Sequence, residues 1–151
     1  MERILFVCLG NICRSPLAEG IMLHLKEKNG LQVHIDSAGT ASYHIGEAPD
    51  PRTIANARKN GVDLSRLRAR QFKAKDFDEF DRIYVMDKDN YRNVIFMSTE
   101  QAHKEKVQLF LNVLEPGRDM EVPDPYYENE QHFEEVFQLV YKTCEKLMRE
   151  F

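Results

Sequence analysis

Arg3 to Val7 carries four apolar side chains in succession, Ile4, Leu5, Phe6 and Val7, with no polar residue between them. An unbroken run of this length fits a strand covered on both faces, which in turn requires helices above and below its sheet. The next residues narrow the choice further. After the loop Cys8–Arg14, Ser15 reads as a helix N-cap, and Pro16 fits a first helical position, where a missing N–H costs nothing. Leu17, Ala18, Ile21, Met22 and Leu25 then mark one helical face, and Gly30 ends it. The chain therefore opens as strand, tight loop and helix.

The alternation continues downstream. Val33 to Ile35 reads as a second, shorter strand, and Thr53 to Asn60 as part of a helix closed by Gly61. Arg82 to Met86 is a third strand, Lys88 to Met97 a helix, and Val107 to Leu111 a fourth strand. Asn129 caps a long final helix whose Phe133, Val136, Phe137, Val140, Cys144, Leu147 and Met148 form one stripe. Strands alternating with helices predict an α/β fold with parallel pairing through crossover helices. No repeat or long linker divides residues 1–151, so one domain is expected. In such sheets ligands bind beyond the carboxyl ends of the strands, where the Cys8–Arg14 loop lies.

A loop of that size between strand and helix can curl until its backbone N–H groups converge on one point. The helix N-terminus adds about half a positive charge there. Arg14 supplies a planar fork for two phosphate oxygens, and Gly10 relieves a place where a side chain would obstruct the curl. Cys8 at the mouth feels a positive field that favours its thiolate, the nucleophilic form. The loop is thus an anion cradle with a nucleophile aimed at its occupant. The two familiar nucleotide loops, G-x-x-x-x-G-K-[ST] and G-x-G-x-x-G, are absent.

A second motif surrounds Asp124, which stands between Pro123 and Pro125 and ahead of Tyr126 and Tyr127. The two prolines stiffen an extended loop. A carboxyl group partly shielded by aromatic rings can hold the proton that a departing aryl oxygen needs, help typically worth ~10²–10⁴-fold. Alone, each motif has a plain alternative: Cys8 as a buried strand-end thiol, and Pro-Asp-Pro as a turn.

Together they carry a resemblance. V-C-L-G-N-I-C-R-S-P at 7–16, D-S-A-G-T at 36–40, A-R-Q at 69–71, M-D at 86–87 and D-P-Y-Y at 124–127 resemble the low-molecular-weight protein-tyrosine phosphatases, in order and across nearly the whole chain. The resemblance implies a single three-layer domain with a four-stranded parallel sheet flanked by helices, and a phosphate-binding loop after the first strand. It implies hydrolysis of phosphotyrosine in proteins or peptides through a cysteinyl-phosphate, releasing inorganic phosphate, with no metal and no cofactor. Cys8 would be the nucleophile, Arg14 the phosphate clamp and Asp124 the general acid and base. Leu9, Gly10, Asn11, Ile12, Cys13 and Ser15 would complete the phosphate loop, Ser15 also helping Cys8 leave. Asn11 would hold the loop's shape with Ser37 behind it, and Tyr43, Tyr126 and Tyr127 would form aromatic walls. Leu67 departs from the pattern: a histidine often stands there and joins the network behind Asn11 and Ser37. At position 12, relatives that prefer phosphoarginine carry threonine, so Ile12 points to an aromatic substrate.

Cys13 shares the loop with Cys8 and is a candidate redox partner, able to capture an oxidised Cys8 as a disulfide. Cys144 falls on the last helix's apolar stripe and reads as core. Two rivals remain. An arsenate reductase of the same architecture would need a mobile cysteine pair outside the loop, and only Cys144 lies there. A phosphate-binding module without activity would need neither Cys8 nor Asp124. The net charge of −4 offers no basic stripe for nucleic acid. The five scattered histidines form no metal pattern. With no spanning apolar run, no signal-peptide pattern and three cysteines, the expected address is the cytoplasm without membrane insertion, although some relatives are secreted without a signal peptide.

Overall fold

Ile4, Leu5, Phe6 and Val7 are each 0% exposed, so the apolar run does occupy a strand with no free face. The computed structural model describes residues 1–151. Strand β1 (Glu2–Cys8) is central, with β2 (Val33–Gly39) on one side and β3 (Arg82–Val85) then β4 (Val107–Leu109) on the other, all parallel. Helices α1 (Arg14–Asn29), α2 (Pro51–Lys59), α3 (Asp76–Glu79), α4 (Lys88–Phe96), α5 (Gln101–Glu105) and α6 (Glu130–Met148) complete the chain.

Because successive strand side chains point to opposite faces, β1 feeds two separate cores. Ile4, Phe6 and Cys8 join Tyr84, Met86 and the apolar faces of α1 and α6. Leu5 and Val7 pack with Phe72, Phe77, Phe80, Ile83, Val85 and Val94 on the other side. The expected stripes are buried: Leu17, Ala18, Ile21, Met22 and Leu25 on α1, and Phe133 through Leu147 on α6, with Met148 at the margin. This is the three-layer α/β architecture. The chain leaves β1 toward β2 and returns past it to β3, so the carboxyl end of β1 is the sheet's switch point. Cys8 ends that strand.

Several boundaries differ from those the sequence predicts. Strand β2 runs to Gly39 rather than stopping at Ile35, because its polar end still pairs with β1, Ser37 opposite Phe6 and Gly39 opposite Cys8. Helix α2 starts at Pro51, capped by the Asp50 carboxylate, which accepts from the Arg52 N–H. Strand β4 stops at Leu109, where Phe110–Asn112 tightens into a 3₁₀ turn. Helix α1 starts at Arg14, with Cys13 at its N-cap position and no side-chain cap. Ser15 is therefore inside the first turn rather than capping it, and its hydroxyl is free for another partner. Short helices α3 and α5 show no apolar period to read.

Gly39 fixes how closely β2 passes the Cys8–Arg14 loop. A Cβ there would lie 2.8 Å from the Leu9 carbonyl oxygen and 3.0 Å from the Gly10 carbonyl carbon, both backbone atoms that cannot swing aside. The Thr40 and Ala41 N–H groups donate to the carbonyls of Cys8 and Leu9, closing the contact. A Gly39→Ala substitution should therefore cost about 1–3 kcal/mol of stability, the usual range for overpacking. Denaturant unfolding should show a lower midpoint at unchanged slope.

Candidate active site

The loop after β1 is held by Asn11 more than by glycine. Asn11 adopts left-handed backbone angles with φ 57°, a conformation asparagine tolerates better than most residues. Its buried side chain spends every polar atom on the surroundings. Nδ2 donates to Ser15 Oγ at 2.7 Å and to Ser37 Oγ at 2.9 Å, while Oδ1 accepts from the Arg70 N–H at 3.0 Å. Strain of about 1–3 kcal/mol at such a residue persists only where the surroundings over-determine it, and here three bonds do so. Gly10 does stand where a side chain would obstruct, although it lacks a positive φ: an added Cβ would meet the His44 ring at 3.1 Å. It is small because His44 lies over it.

Cys8 Sγ lies under this loop. It accepts from the Asn11 N–H at 3.3 Å and sits 2.9 Å from Ser15 Oγ. Ser15 Oγ accepts from Asn11, and its one hydrogen has two acceptors within reach, the sulfur at 2.9 Å and the Ala38 carbonyl at 3.4 Å, of which the sulfur is the nearer. Helix α1 has no acidic residue in its first turn, so nothing cancels the positive end of its dipole.

Arg14 is 3% exposed, and its guanidinium is tethered from one side. Nη1 donates to Asp87 Oδ2 at 2.7 Å and to the Val122 carbonyl at 3.0 Å, while Nη2 stands 3.6 Å from Asp124 Oδ2. Burial works against the charge, but Cys8, the bond to Asp87 and the Asp124 carboxylate outweigh it and hold the group above the usual arginine range. Asp87 also caps α4, in a reciprocal capping box with Asn90. The M-D motif thus has a contact that sequence alone leaves unassigned: Asp87 fixes the Arg14 guanidinium.

A cleft of about 180 Å³ joins these groups. Cys8, Leu9, Gly10, Ile12, Cys13 and Arg14 form its floor and lower wall, and Tyr43, His44, Asp124, Tyr126 and Tyr127 its sides. Asn11, Ser15 and Ser37 lie behind the floor as support. Tyr126 and Tyr127 meet edge to face at 4.8 Å. Arg52 stacks over Tyr126 and Phe133 and donates to the Tyr126 carbonyl at 2.7 Å. Asp50, which grips Arg52, also donates its N–H to the Ile12 carbonyl at 2.8 Å, so one strap ties loop to wall. Asp124 is less shielded than expected, its side chain 44% exposed, with Oδ1 accepting from the Tyr126 N–H. Nothing in the sequence singles out His44; only the near contact with Gly10 marks it.

Cys13 is buried, and burial pushes its thiol up to about 12, with Asp50, Cys8 and Asp124 adding to the shift and the Thr53 hydroxyl opposing it. Cys144 is fully buried on α6, as expected of core. The polar network does continue past Ser37 without a histidine: Ser37 Oγ donates to Glu19 Oε1 at 2.5 Å.

The family model for low molecular weight phosphotyrosine protein phosphatase matches residues 3–151. A low molecular weight protein-tyrosine-phosphatase of Bacillus subtilis is 40% identical over 150 residues, covering 98% of this chain and 94% of its own. The human low molecular weight phosphotyrosine protein phosphatase is 38% identical, covering 95% and 91%. Among solved structures, the Entamoeba histolytica protein tyrosine phosphatase with Hepes in its active site superimposes with TM-score 0.91 at 37% identity, covering 99% and 96%. Wzb of Vibrio vulnificus, in complex with benzylphosphonate, gives 0.87 at 27%, covering 99% of each. With a matching model from residue 3 to the last and relatives of this identity along both lengths, the chain belongs to the low molecular weight phosphotyrosine protein phosphatases.

Proposed function

We propose that this phosphotyrosine protein phosphatase works through a phosphocysteine on Cys8, with Arg14 as clamp and Asp124 as acid and base. The observation that carries the reading is the sulfur's position, beneath converging donors from Asn11 and Ser15 and across the cleft mouth from the Arg14–Asp124 pair. Cys8 Sγ attacks phosphorus in line, the bond to the aryl oxygen breaks, and Asp124 gives that oxygen its proton. Loop N–H groups and Arg14 hold the equatorial oxygens. Water then attacks the phosphocysteine, Asp124 takes the water's proton, and the sulfur leaves with the Ser15 hydroxyl hydrogen-bonded to it. Inorganic phosphate departs.

Phosphoproteins are the substrate class, and an aryl ester is the preferred form. Ile12 presents an apolar branched wall, and Tyr43, Tyr126 and Tyr127 offer ring faces to a flat phenol. The benzylphosphonate held by the Vibrio relative supports an aromatic occupant. Residues 1–151 form one functional domain. Three free cysteines suit a reducing compartment such as the cytoplasm, and the net charge of −4 gives no basis for nucleic-acid binding. No helix is long and apolar enough to cross a membrane.

Cys13 lines the same cleft and is the proposed partner for an oxidised Cys8. Peroxide converts the Cys8 thiolate to a sulfenic acid; Cys13 displaces its oxygen, water leaves, and a disulfide remains for thiols to reduce.

Three measurements test these assignments. With p-nitrophenyl phosphate, Cys8→Ser should lose all turnover, and Asp124→Asn should lose ~10²–10⁴-fold, least with good leaving groups. Full turnover by Cys8→Ser would end the mechanism. Phosphotyrosine peptides should be cleaved faster than phosphoarginine peptides, and the reverse order would remove the aryl preference. After peroxide and then thiol reductant, Cys13→Ser should recover less activity than the unaltered enzyme; equal recovery would dismiss the redox role.

A further inference from the structure

Glu19 is a buried carboxyl group on α1 that the phosphatase mechanism does not use, 9% exposed and bonded to the Ser37 hydroxyl. Its neighbours explain its importance. Asn11 has two amide hydrogens, and both are engaged, one on Ser15 Oγ and one on Ser37 Oγ. Ser37 Oγ must therefore receive from Asn11 and send its own hydrogen elsewhere. The acceptor is Glu19 Oε1 at 2.5 Å. A carboxylate can only accept, so an ionised Glu19 permits one orientation of the Ser37 hydroxyl. A protonated Glu19 can donate instead, which turns the Ser37 hydrogen back toward the Asn11 amide, two donors facing each other.

We propose that Glu19 is a positioning residue for the phosphatase reaction, its carboxylate setting the direction of the Ser37–Asn11–Ser15 chain that ends on Cys8. The assignment rests on the phosphocysteine reading of the loop. Charge on Glu19 keeps Asn11 in its left-handed pose and leaves the Ser15 hydrogen for the sulfur; loss of that charge slackens the chain.

The surroundings make that charge responsive to pH. From β2, Glu19 faces Ser37 and Asp36; from the segment between α2 and α3 come Arg70 and the apolar Leu67, which packs against the same turn of α1. On its own helix the neighbours one turn away, Ser15, Pro16, Met22 and Leu23, carry no charge. From α6, the buried Cys144 thiol donates to the Ala18 carbonyl at 3.8 Å and brings no charge. Burial pushes the carboxyl up to about 7; the Ser37 bond opposes this, Asp36 adds to it, and Arg70 opposes it. Arg70 helps little because its guanidinium is already held by Asp36 and Asp76. The folded state thus holds this proton more tightly than the unfolded chain. Glu19's contribution to stability falls as pH rises from the ordinary carboxyl range to about 7 and levels off above it.

The test compares the unaltered enzyme with Glu19→Gln, which fixes the neutral form at every pH, using p-nitrophenyl phosphate and the alkylation rate of Cys8. Above pH 7 the variant should lose about tenfold in kcat, the scale of one hydrogen bond to a charged group, with KM unchanged. Well below that pH the two enzymes should converge, and the variant should lack Glu19's share of the stability slope between the ordinary carboxyl range and about 7. A kcat ratio that is the same on both sides of neutrality would overturn the proposal. Leu67→His provides a second arm that does not depend on Glu19→Gln folding: a cation beside Glu19 should move the kcat transition to lower pH, and an unmoved transition counts equally against the idea. If no form releases phosphate while alkylation of Cys8 still shows the pH-dependent ratio, the phosphatase mechanism fails and the positioning role stands.

Discussion

Asn11 is where the backbone of the catalytic loop is strained and where that strain is held in place. A left-handed residue buried at the end of a parallel strand would relax if its side chain found fewer partners. Its amide instead binds Ser15, Ser37 and the Arg70 backbone, which come from the loop's own helix, the neighbouring strand and the segment beyond α2. Each of those elements is located by the two cores that β1 feeds. The packing of the sheet and the aim of the loop's N–H groups are therefore one problem. Loosening either disturbs the sulfur.

The clamp obeys a similar logic with charge in place of strain. A buried guanidinium costs several kcal/mol unless it is paired and fully hydrogen-bonded. Asp87 and the Val122 carbonyl satisfy one of its nitrogens, and neither Nε nor Nη2 donates a hydrogen bond to the protein. The arginine is thus anchored without being used up. Asp87 is itself oriented by capping α4, and Val122 by pairing its N–H with Met86 at the end of β3. Three elements that share no sequence motif converge on one side chain.

Much of this is legible in the chain without coordinates. The apolar runs mark the strands and the layer order because burial on both faces leaves an unambiguous pattern. The Cys8–Arg14 loop and Asp124 stand out because a cysteine and an arginine closing one strand-to-helix loop, and an aspartate between two prolines, are uncommon settings. Ser15 reads wrongly as a cap, since its type fits both roles and only the helix start at Arg14 decides between them. The left-handed turn at Asn11 has no marker in the sequence, because asparagine fits many other settings. His44, Asp87 and Glu19 escape a reading of the sequence because their importance comes from contacts across 18 to 73 positions, where spacing carries no information. The extended polar end of β2 is hidden for the same reason: Ser37 stands there to serve the loop, at the expense of the apolar pattern.

The distribution of charge also explains how an acidic protein can hold an anion. A net charge of −4 gives phosphate no long-range attraction. What positive charge the cleft offers is local: the Asn11 N–H, the N-terminus of α1 and the Arg14 guanidinium. The acids near the cleft are each committed. Asp87 holds the clamp, Asp50 holds the strap, Glu19 faces the polar network, and Asp124 stands at the mouth opposite the arginine. An anion would therefore feel this attraction only at the loop itself, below Ile12 and the tyrosines that line the cleft.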